Sequence, residues 1–282
     1  MLSITSASAM TAASRQARRA GQRVGLVPTM GALHQGHLSL VRAARAQCGV
    51  VVVSIFVNPT QFGPNEDFAK YPRTLGSDSA LLAAENCDYI FCPTVEDMYP
   101  PGATAVVKIE GISDRLDGRS RPGHFQGVTT VVTKLFNVVQ PDLAFFGQKD
   151  AAQAAIIRNM VRDLNFDVEI VVCPIVREPD GLALSSRNVF LSPSERKQAT
   201  VLYRSLMLVQ SLFERGERDA TKLAAAGKEV VAAELGVRLD YFEVVNPDTL
   251  ESVSDVGAGP LVAVAAHVGK TRLIDNILLR SK

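Results

Sequence analysis

Residues 50–57 read Val-Val-Val-Val-Ser-Ile-Phe-Val and are stopped by Asn58-Pro59. A run that is apolar and largely β-branched at nearly every position has no polar face to turn to water, so it suits a strand covered on both sides by helices, as in a parallel sheet. The flanking segments agree. Arg23 to Val27 reads as a short apolar strand and Leu38 to Gln47 has helical spacing, so residues 24–57 predict a βαβ unit. The alternation continues through a helix at Thr74–Glu85, a strand at Tyr89–Cys92, a helix at Val128–Val139, a strand at Leu143–Phe146, a helix at Ala151–Leu164 and a strand at Val168–Val176. That order predicts an α/β fold with a Rossmann-like, doubly wound parallel sheet, whose ligands bind beyond the carboxyl ends of the strands.

The character changes at Pro179-Asp180-Gly181, a strong turn signal. Beyond Arg187, helices are expected at Ser194–Glu217 and Thr221–Leu235 and strands near Tyr241–Val245 and Leu261–His267, with a turn at Gly269-Lys270. Residues 1–177 are therefore expected to form the sheet domain and residues 178–282 a smaller α+β domain. At the other end, residues 1–21 are rich in Ser, Ala and Thr, with three arginines and no acid. The stretch superficially fits an organellar transit peptide, but Thr11 to Gln22 reads equally as a first amphipathic helix, which is the preferred expectation.

Composition excludes several function classes. Apolar residues make up 47% and charged residues 21% of the 282, as in a soluble globular protein, and a formal charge of +1 does not suggest a nucleic-acid binder or a polybasic membrane protein. The longest apolar runs, 50–57 and 261–266, are far short of the roughly 20 residues a membrane span needs. Cys48, Cys87, Cys92 and Cys173 form no CxxC pair and show no zinc-site spacing, which predicts buried, reduced thiols of a cytoplasmic protein and no protein-held metal.

Two of the four histidines sit three apart in VPTMGALHQGH, Val27 to His37, where a strand hands over to a helix. A helix N-terminus offers unpaired N–H groups and the positive end of the helix dipole, so it binds anions, phosphates above all. Gly31 and Gly36 would let the backbone approach such a ligand, and His34 and His37, on the first helical turn, would present two imidazole N–H donors side by side. Taken alone, the pattern also fits two ordinary packing histidines. FFGQKDAAQ, Phe145 to Gln153, again ends a strand and opens a helix, so Lys149 and Asp150 should stand at the same edge of the sheet; a solvated turn capped by Asp150 is the plainer reading. LALSSRN places Ser185, Ser186 and Arg187 at the expected domain junction. Together these groups would form a polyphosphate clamp without a nucleophile, which points to in-line attack at phosphorus, where positioning and electrostatics do the catalysis. HVGKTR at 267–272 imitates the end of a P-loop, but Val264 stands where its first glycine is required, so a hairpin turn is expected instead.

PTMGALHQGH, VSIFVNPTQFGPNEDFAKYPR, RPGHFQGV, FFGQKDAAQ, DGLALSSRN and TRLIDN occur in this order, and over nearly its entire length the chain resembles the pantoate–β-alanine ligase (pantothenate synthetase) family of HIGH-type nucleotidyltransferases. LSSR stands where the related class I aminoacyl-tRNA synthetases have a lysine-rich loop, and shares little with it. The resemblance implies two half-reactions. Pantoate attacks the α-phosphorus of Mg-ATP to give pantoyl adenylate and pyrophosphate, and the β-alanine amine then attacks the acyl carbon to give pantothenate and AMP.

By the same resemblance, Met30, Gly31, His34, Gly36 and His37 would hold ATP. His37 is the family's proton donor, although electrostatic stabilisation of the leaving pyrophosphate is the expected weight of its role. Gly147, Lys149, Asp150, Val176, Leu184, Ser185, Ser186 and Arg187 would complete the ATP site, with Lys149 and Arg187 neutralising charge. Gln61, Gln153 and Met30 would bind pantoate; Gln61 would also contact β-alanine, supported by Asn58. Arg121 and His124 are open to a phosphate contact, a subunit contact or plain packing. The expected cofactor is Mg²⁺ bound with ATP, the expected assembly a homodimer, and no nucleic-acid or membrane partner is expected. Gln61 to Arg73 is expected to form a flap over the adenylate, and the C-terminal domain a second lid. The competing readings are another HxGH nucleotidyltransferase, for which more cationic substrate contacts would be expected, and a silent nucleotide-binding module, which would have lost Lys149 or a motif histidine.

Overall fold

A computed structural model describes residues 1–64, 66, 68–257 and 259–280. Asn65 and Asp67, inside the expected flap, lie outside the described residues. The elements are β1 (Leu2–Ile4), α1 (Ala7–Arg19), β2 (Val24–Thr29), α2 (Gln35–Gln47), β3 (Val50–Ile55), α3 (Leu75–Ala84), β4 (Tyr89–Phe91), α4 (Val95–Met98), α5 (Asp117–Ser120), α6 (His124–Val139), β5 (Leu143–Gly147), α7 (Ala151–Asp163), β6 (Glu169–Cys173), α8 (Pro193–Gln198), α9 (Val201–Glu214), α10 (Ala220–Ala232), β7 (Val237–Val245), β8 (Leu261–Val268) and β9 (Thr271–Leu278).

The chain divides into two compact units: Met1–Ser113, Arg121–Gly147 and Ile156–Cys173 in the first, and Asp114–Ser120, Gln148–Ala155 and Pro174–Lys282 in the second. In the first, six parallel strands run in the order β1-β4-β3-β2-β5-β6. The order reverses between β2 and β5, which makes their carboxyl ends the topological switch point where such sheets bind ligands. Residues 50–54 are all buried, as the unbroken apolar run predicts, and one face of the sheet packs Val51, Val53, Ile90 and Phe145 against Leu38, Val41 and Ala44 of α2.

The second unit holds the antiparallel sheet β7-β8-β9. Its core joins Leu202, Leu206, Val209 and Phe213 of α9 and Leu223 and Val231 of α10 to Phe242, Val262, Val264 and Leu273 of the strands. Val268 and Thr271 pair directly across Gly269-Lys270, so HVGKTR is the hairpin turn expected rather than a phosphate loop.

Several boundaries depart from the sequence expectation. Strand β1 was not legible, because three edge residues are too few to show a period. Helix α1 starts a turn earlier than expected, capped by the Ser6 hydroxyl, and ends before Gly21 at φ +74°. Helix α6 begins at His124, four residues earlier than expected, after Gly123 in the left-handed region. Strand β6 stops at Cys173 because Pro174 has no N–H to continue the ladder. The single helix expected over 194–217 is two, α8 and α9: the Thr200 hydroxyl donates to the Lys197 carbonyl at 2.7 Å and competes with the backbone ladder there. All four cysteines are free, but Cys92 is only half-buried rather than buried. Burial pushes the Cys87 thiol up to about 11, so it is inert at neutral pH.

Candidate active site

The loop between β2 and α2 is held from within by a carboxylate that the sequence reading did not single out. Asp78 on α3, 1% exposed, accepts the N–H of Ala32 at 3.0 Å, that of Leu33 at 2.9 Å and the Thr74 hydroxyl at 3.1 Å. The turn around these bonds puts Gly31 at φ +82° and Ala32 at +50°. A Cβ on Gly31 would come within 3.1 Å of Asp78 Oδ2 and of Ile55 Cγ2, a tight contact, and its left-handed φ favours glycine.

Helix α2 then starts at Gln35, with His34 as its N-cap rather than on the first turn. His34 Nδ1 accepts the N–H of Gly36 at 3.1 Å, and His37 Nδ1 accepts the N–H of His34 at 3.3 Å, a reciprocal cap built from two imidazoles. A ring nitrogen that accepts cannot carry the proton, so both rings are the neutral Nε2–H tautomer. Their centroids lie 4.1 Å apart. The cap thereby selects which ring nitrogen of each histidine serves as donor.

The turn after β3 joins this loop within the first unit. Gln61 Nε2 donates to Met30 Sδ at 3.1 Å, and Gln61 Oε1 accepts from Asn58 Nδ2 at 3.2 Å. Asn58, 1% exposed, also donates to the Gly127 carbonyl at 3.1 Å and accepts from the Tyr99 hydroxyl at 2.9 Å. The fit is close: a Cβ on Gly127 would lie 2.3 Å from the Thr60 oxygen and 2.7 Å from Gln61 Cα. Gly127→Ala is expected to lower the unfolding free energy by about 1–3 kcal/mol through this overlap, read from urea unfolding. An unchanged midpoint would mean that α6 and the 59–61 turn separate without cost.

Arg121 and His124 clamp the backbone of the same turn. The Gln61 carbonyl accepts from His124 Nδ1 at 2.8 Å, which leaves His124 Nε2 to accept from Arg121 Nη1 at 2.9 Å. Arg121 also reaches the two oxygens of Glu66 at 2.7 and 2.6 Å. Burial pushes the Glu66 carboxyl up, but the Arg121 pair outweighs it and holds the group below the ordinary glutamate value. These contacts of both residues are with each other and with Gln61 and Glu66.

The remaining candidates lie in the second unit, apart from Gly147, which ends β5 in the first. Lys149 and Ser185 line one small cavity with Leu182 and Asp275, and Lys149 Nζ is 3.9 Å from the Asp150 carboxylate. The Val176 carbonyl accepts the Leu184 N–H at 3.0 Å, and the Ser185 hydroxyl accepts the Arg187 N–H at 3.3 Å, starting the short turn Ser186–Phe190. Ser186, Arg187 and Gln153 are half-buried. The structure thus groups Met30, His34, His37 and Gln61 in one unit and Lys149, Val176, Leu184 and Ser185 in the other.

The chain matches the family model described as pantoate-beta-alanine ligase over residues 3–278. It belongs to the pantoate–β-alanine ligase family. A pantothenate synthetase of Koribacter versatilis (strain Ellin345) is 61% identical over 272 residues, 96% of this chain and 94% of that one. A crystal structure of the Thermus thermophilus pantothenate synthetase is 48% identical with a TM-score of 0.95, covering 100% of both chains. The ligase of Francisella tularensis, solved in complex with beta-gamma ATP and beta-alanine, is 34% identical with a TM-score of 0.81, covering 100% of this chain and 99% of its own. The six motifs read from the sequence all fall within the residues matched to the ligase family.

Proposed function

We propose that this chain condenses (R)-pantoate with β-alanine at the expense of ATP, forming pantothenate, AMP and pyrophosphate, a step in pantothenate and coenzyme A biosynthesis. The observation that carries this reading is the family match across residues 3–278. In the first half-reaction a pantoate carboxylate oxygen forms a bond to the α-phosphorus, and the bond from that phosphorus to the bridging oxygen of pyrophosphate breaks. In the second, the neutral amine of β-alanine bonds to the acyl carbon, the carbon–oxygen bond to AMP breaks, and the nitrogen loses a proton. Adenylation is needed because a free carboxylate is a poor acyl donor.

His34 and His37 serve as neutral Nε2–H donors to ATP phosphates; their acceptor Nδ1 atoms favour hydrogen-bond stabilisation of the leaving pyrophosphate over proton transfer. Gly31 and Gly36 give the backbone room, and Gly147, Asp150, Val176, Leu184, Ser185 and Ser186 complete the nucleotide site, with Lys149 and Arg187 supplying charge. Gln61 and Gln153 bind pantoate, with Met30 against it, and Gln61 also meets β-alanine. An amide binds a carboxylate and hydroxyls without a fixed charge that would blunt the nucleophile. Mg²⁺ is proposed to arrive on the triphosphate, where it would screen phosphate charge. Residues 1–177 are proposed to bind nucleotide and pantoate and residues 178–282 to act as a lid, in a cytoplasmic homodimer. No described helix is long and apolar enough to cross a membrane.

ATP–pyrophosphate exchange with purified protein and Mg²⁺, with no amine present, tests the reading. Exchange is expected only when pantoate is added. No exchange from folded, ATP-binding protein would overturn it in favour of another HxGH nucleotidyltransferase or a silent nucleotide-binding module.

A further inference from the structure

The closing motif TRLIDN has no role in the reaction as described so far, yet its last residue holds the turn that carries Lys149. Asn276, 2% exposed on β9, donates from Nδ2 to two consecutive carbonyls, Gln148 at 2.9 Å and Lys149 at 3.0 Å. Its Oδ1 accepts from Gln148 Nε2 at 2.9 Å, which fixes the orientation of the amide. Asn276 is itself held in register, opposite Ala263 of β8, and its own N–H donates to Asp275 Oδ1 at 2.7 Å. A primary amide is the one uncharged side-chain group of this length that supplies two N–H donors from one atom and an acceptor beside them. Serine offers one donor, and aspartate would turn an anion toward two carbonyl oxygens.

We propose that Asn276 is a positioning residue for Lys149: by clamping the carbonyls of Gln148 and Lys149 it sets the direction in which the Lys149 side chain leaves the turn. The inference rests on the proposed phosphate-binding role of Lys149. Its physical basis is that a displacement of about 1 Å in a group aimed at a transition state costs up to about 100-fold in rate, while the same displacement in an ordinary surface turn costs nothing.

A double-mutant cycle on pantoate-dependent ATP–pyrophosphate exchange tests it. Lys149→Ala is expected to lower the rate by about 10²-fold or more. Asn276→Ala should lower kcat by about 10-fold to 100-fold with KM for ATP changed by less than about 3-fold, and Asn276→Asp should be at least as impaired. The decisive variant is Lys149→Ala/Asn276→Ala, expected to match Lys149→Ala within about 2-fold, because a clamp has nothing left to aim once the lysine is gone. A purely structural role would instead multiply the two losses. Asn276→Ser, which keeps a hydroxyl donor for one of the two carbonyls and leaves the other bond unmade, supplies the same cycle if Asn276→Ala does not fold. Multiplying losses, or an Asn276→Ala rate near wild type, overturns the inference and leaves the ligase reading intact. A fully active Lys149→Ala overturns the role of the lysine itself, and the clamp with it.

Discussion

His37→Ala is expected to lower pantoate-dependent ATP–pyrophosphate exchange by about 10²–10³-fold, the usual loss when one preorganised donor to a developing anion is removed. The same substitution also removes the acceptor for the His34 N–H, so a cap loss of about 0.5–2 kcal/mol should accompany it. His37→Asn separates the two effects. The asparagine Oδ1 falls near the place of Nδ1 and can still accept from the His34 N–H, but nothing takes the place of Nε2–H. If the donor matters, His37→Asn should be close to His37→Ala in exchange rate and close to wild type in urea unfolding. An asparagine variant within a few-fold of wild-type activity would show that His37 is only a helix cap.

Arg177→Met is expected to cost about 3–5 kcal/mol of stability at neutral pH, among the largest effects of any single substitution in the second unit. Asp275, 3% exposed, lies behind the Arg177 guanidinium, which reaches its two oxygens at 2.6 and 2.9 Å and packs over the Tyr203 ring. Burial already pushes the Asp275 carboxyl above its ordinary value, against the pull of Arg177. Without the arginine the neutral form is favoured further. A raised folded-state value means that stability falls as pH rises through it, so the deficit of Arg177→Met should be largest near pH 7.5 and shrink toward pH 5. Urea unfolding at the two pH values reads both the size and the sign. A loss under about 1 kcal/mol would mean that Asp275 finds water or another partner. Replacing both residues by apolar ones of similar volume should recover much of the loss, because the penalty comes from the orphaned charge.

The two carboxyl-terminal residues of TRLIDN thus act differently, Asp275 on stability and Asn276 on the Lys149 turn. Neither role was visible in the sequence. The motif could be recognised, but its partners, Arg177 and the carbonyls of 148 and 149, are 98 and about 128 residues away. Asp78 is a similar case. An acid in the first turn of α3 reads as an ordinary dipole partner, and only the fold brings it against the amides of Ala32 and Leu33, 46 and 45 residues earlier.

What the sequence by itself determined is what local periodicity and punctuation encode: the parallel sheet, from apolar runs with no solvent face; the hairpin at Gly269-Lys270; and the glycine- and histidine-bearing strand-to-helix handover at Val27–His37. These depend on residues a few positions apart, whose side-chain directions follow from helix and strand geometry alone. The tertiary structure decided the rest: the neutral Nε2–H state of His34 and His37, the meeting of Gln61 with Met30, and the clamps of Arg121, His124 and Asn276. Each is a hydrogen bond whose existence depends on distances of a few tenths of an ångström, and only the packing of distant segments sets distances that finely.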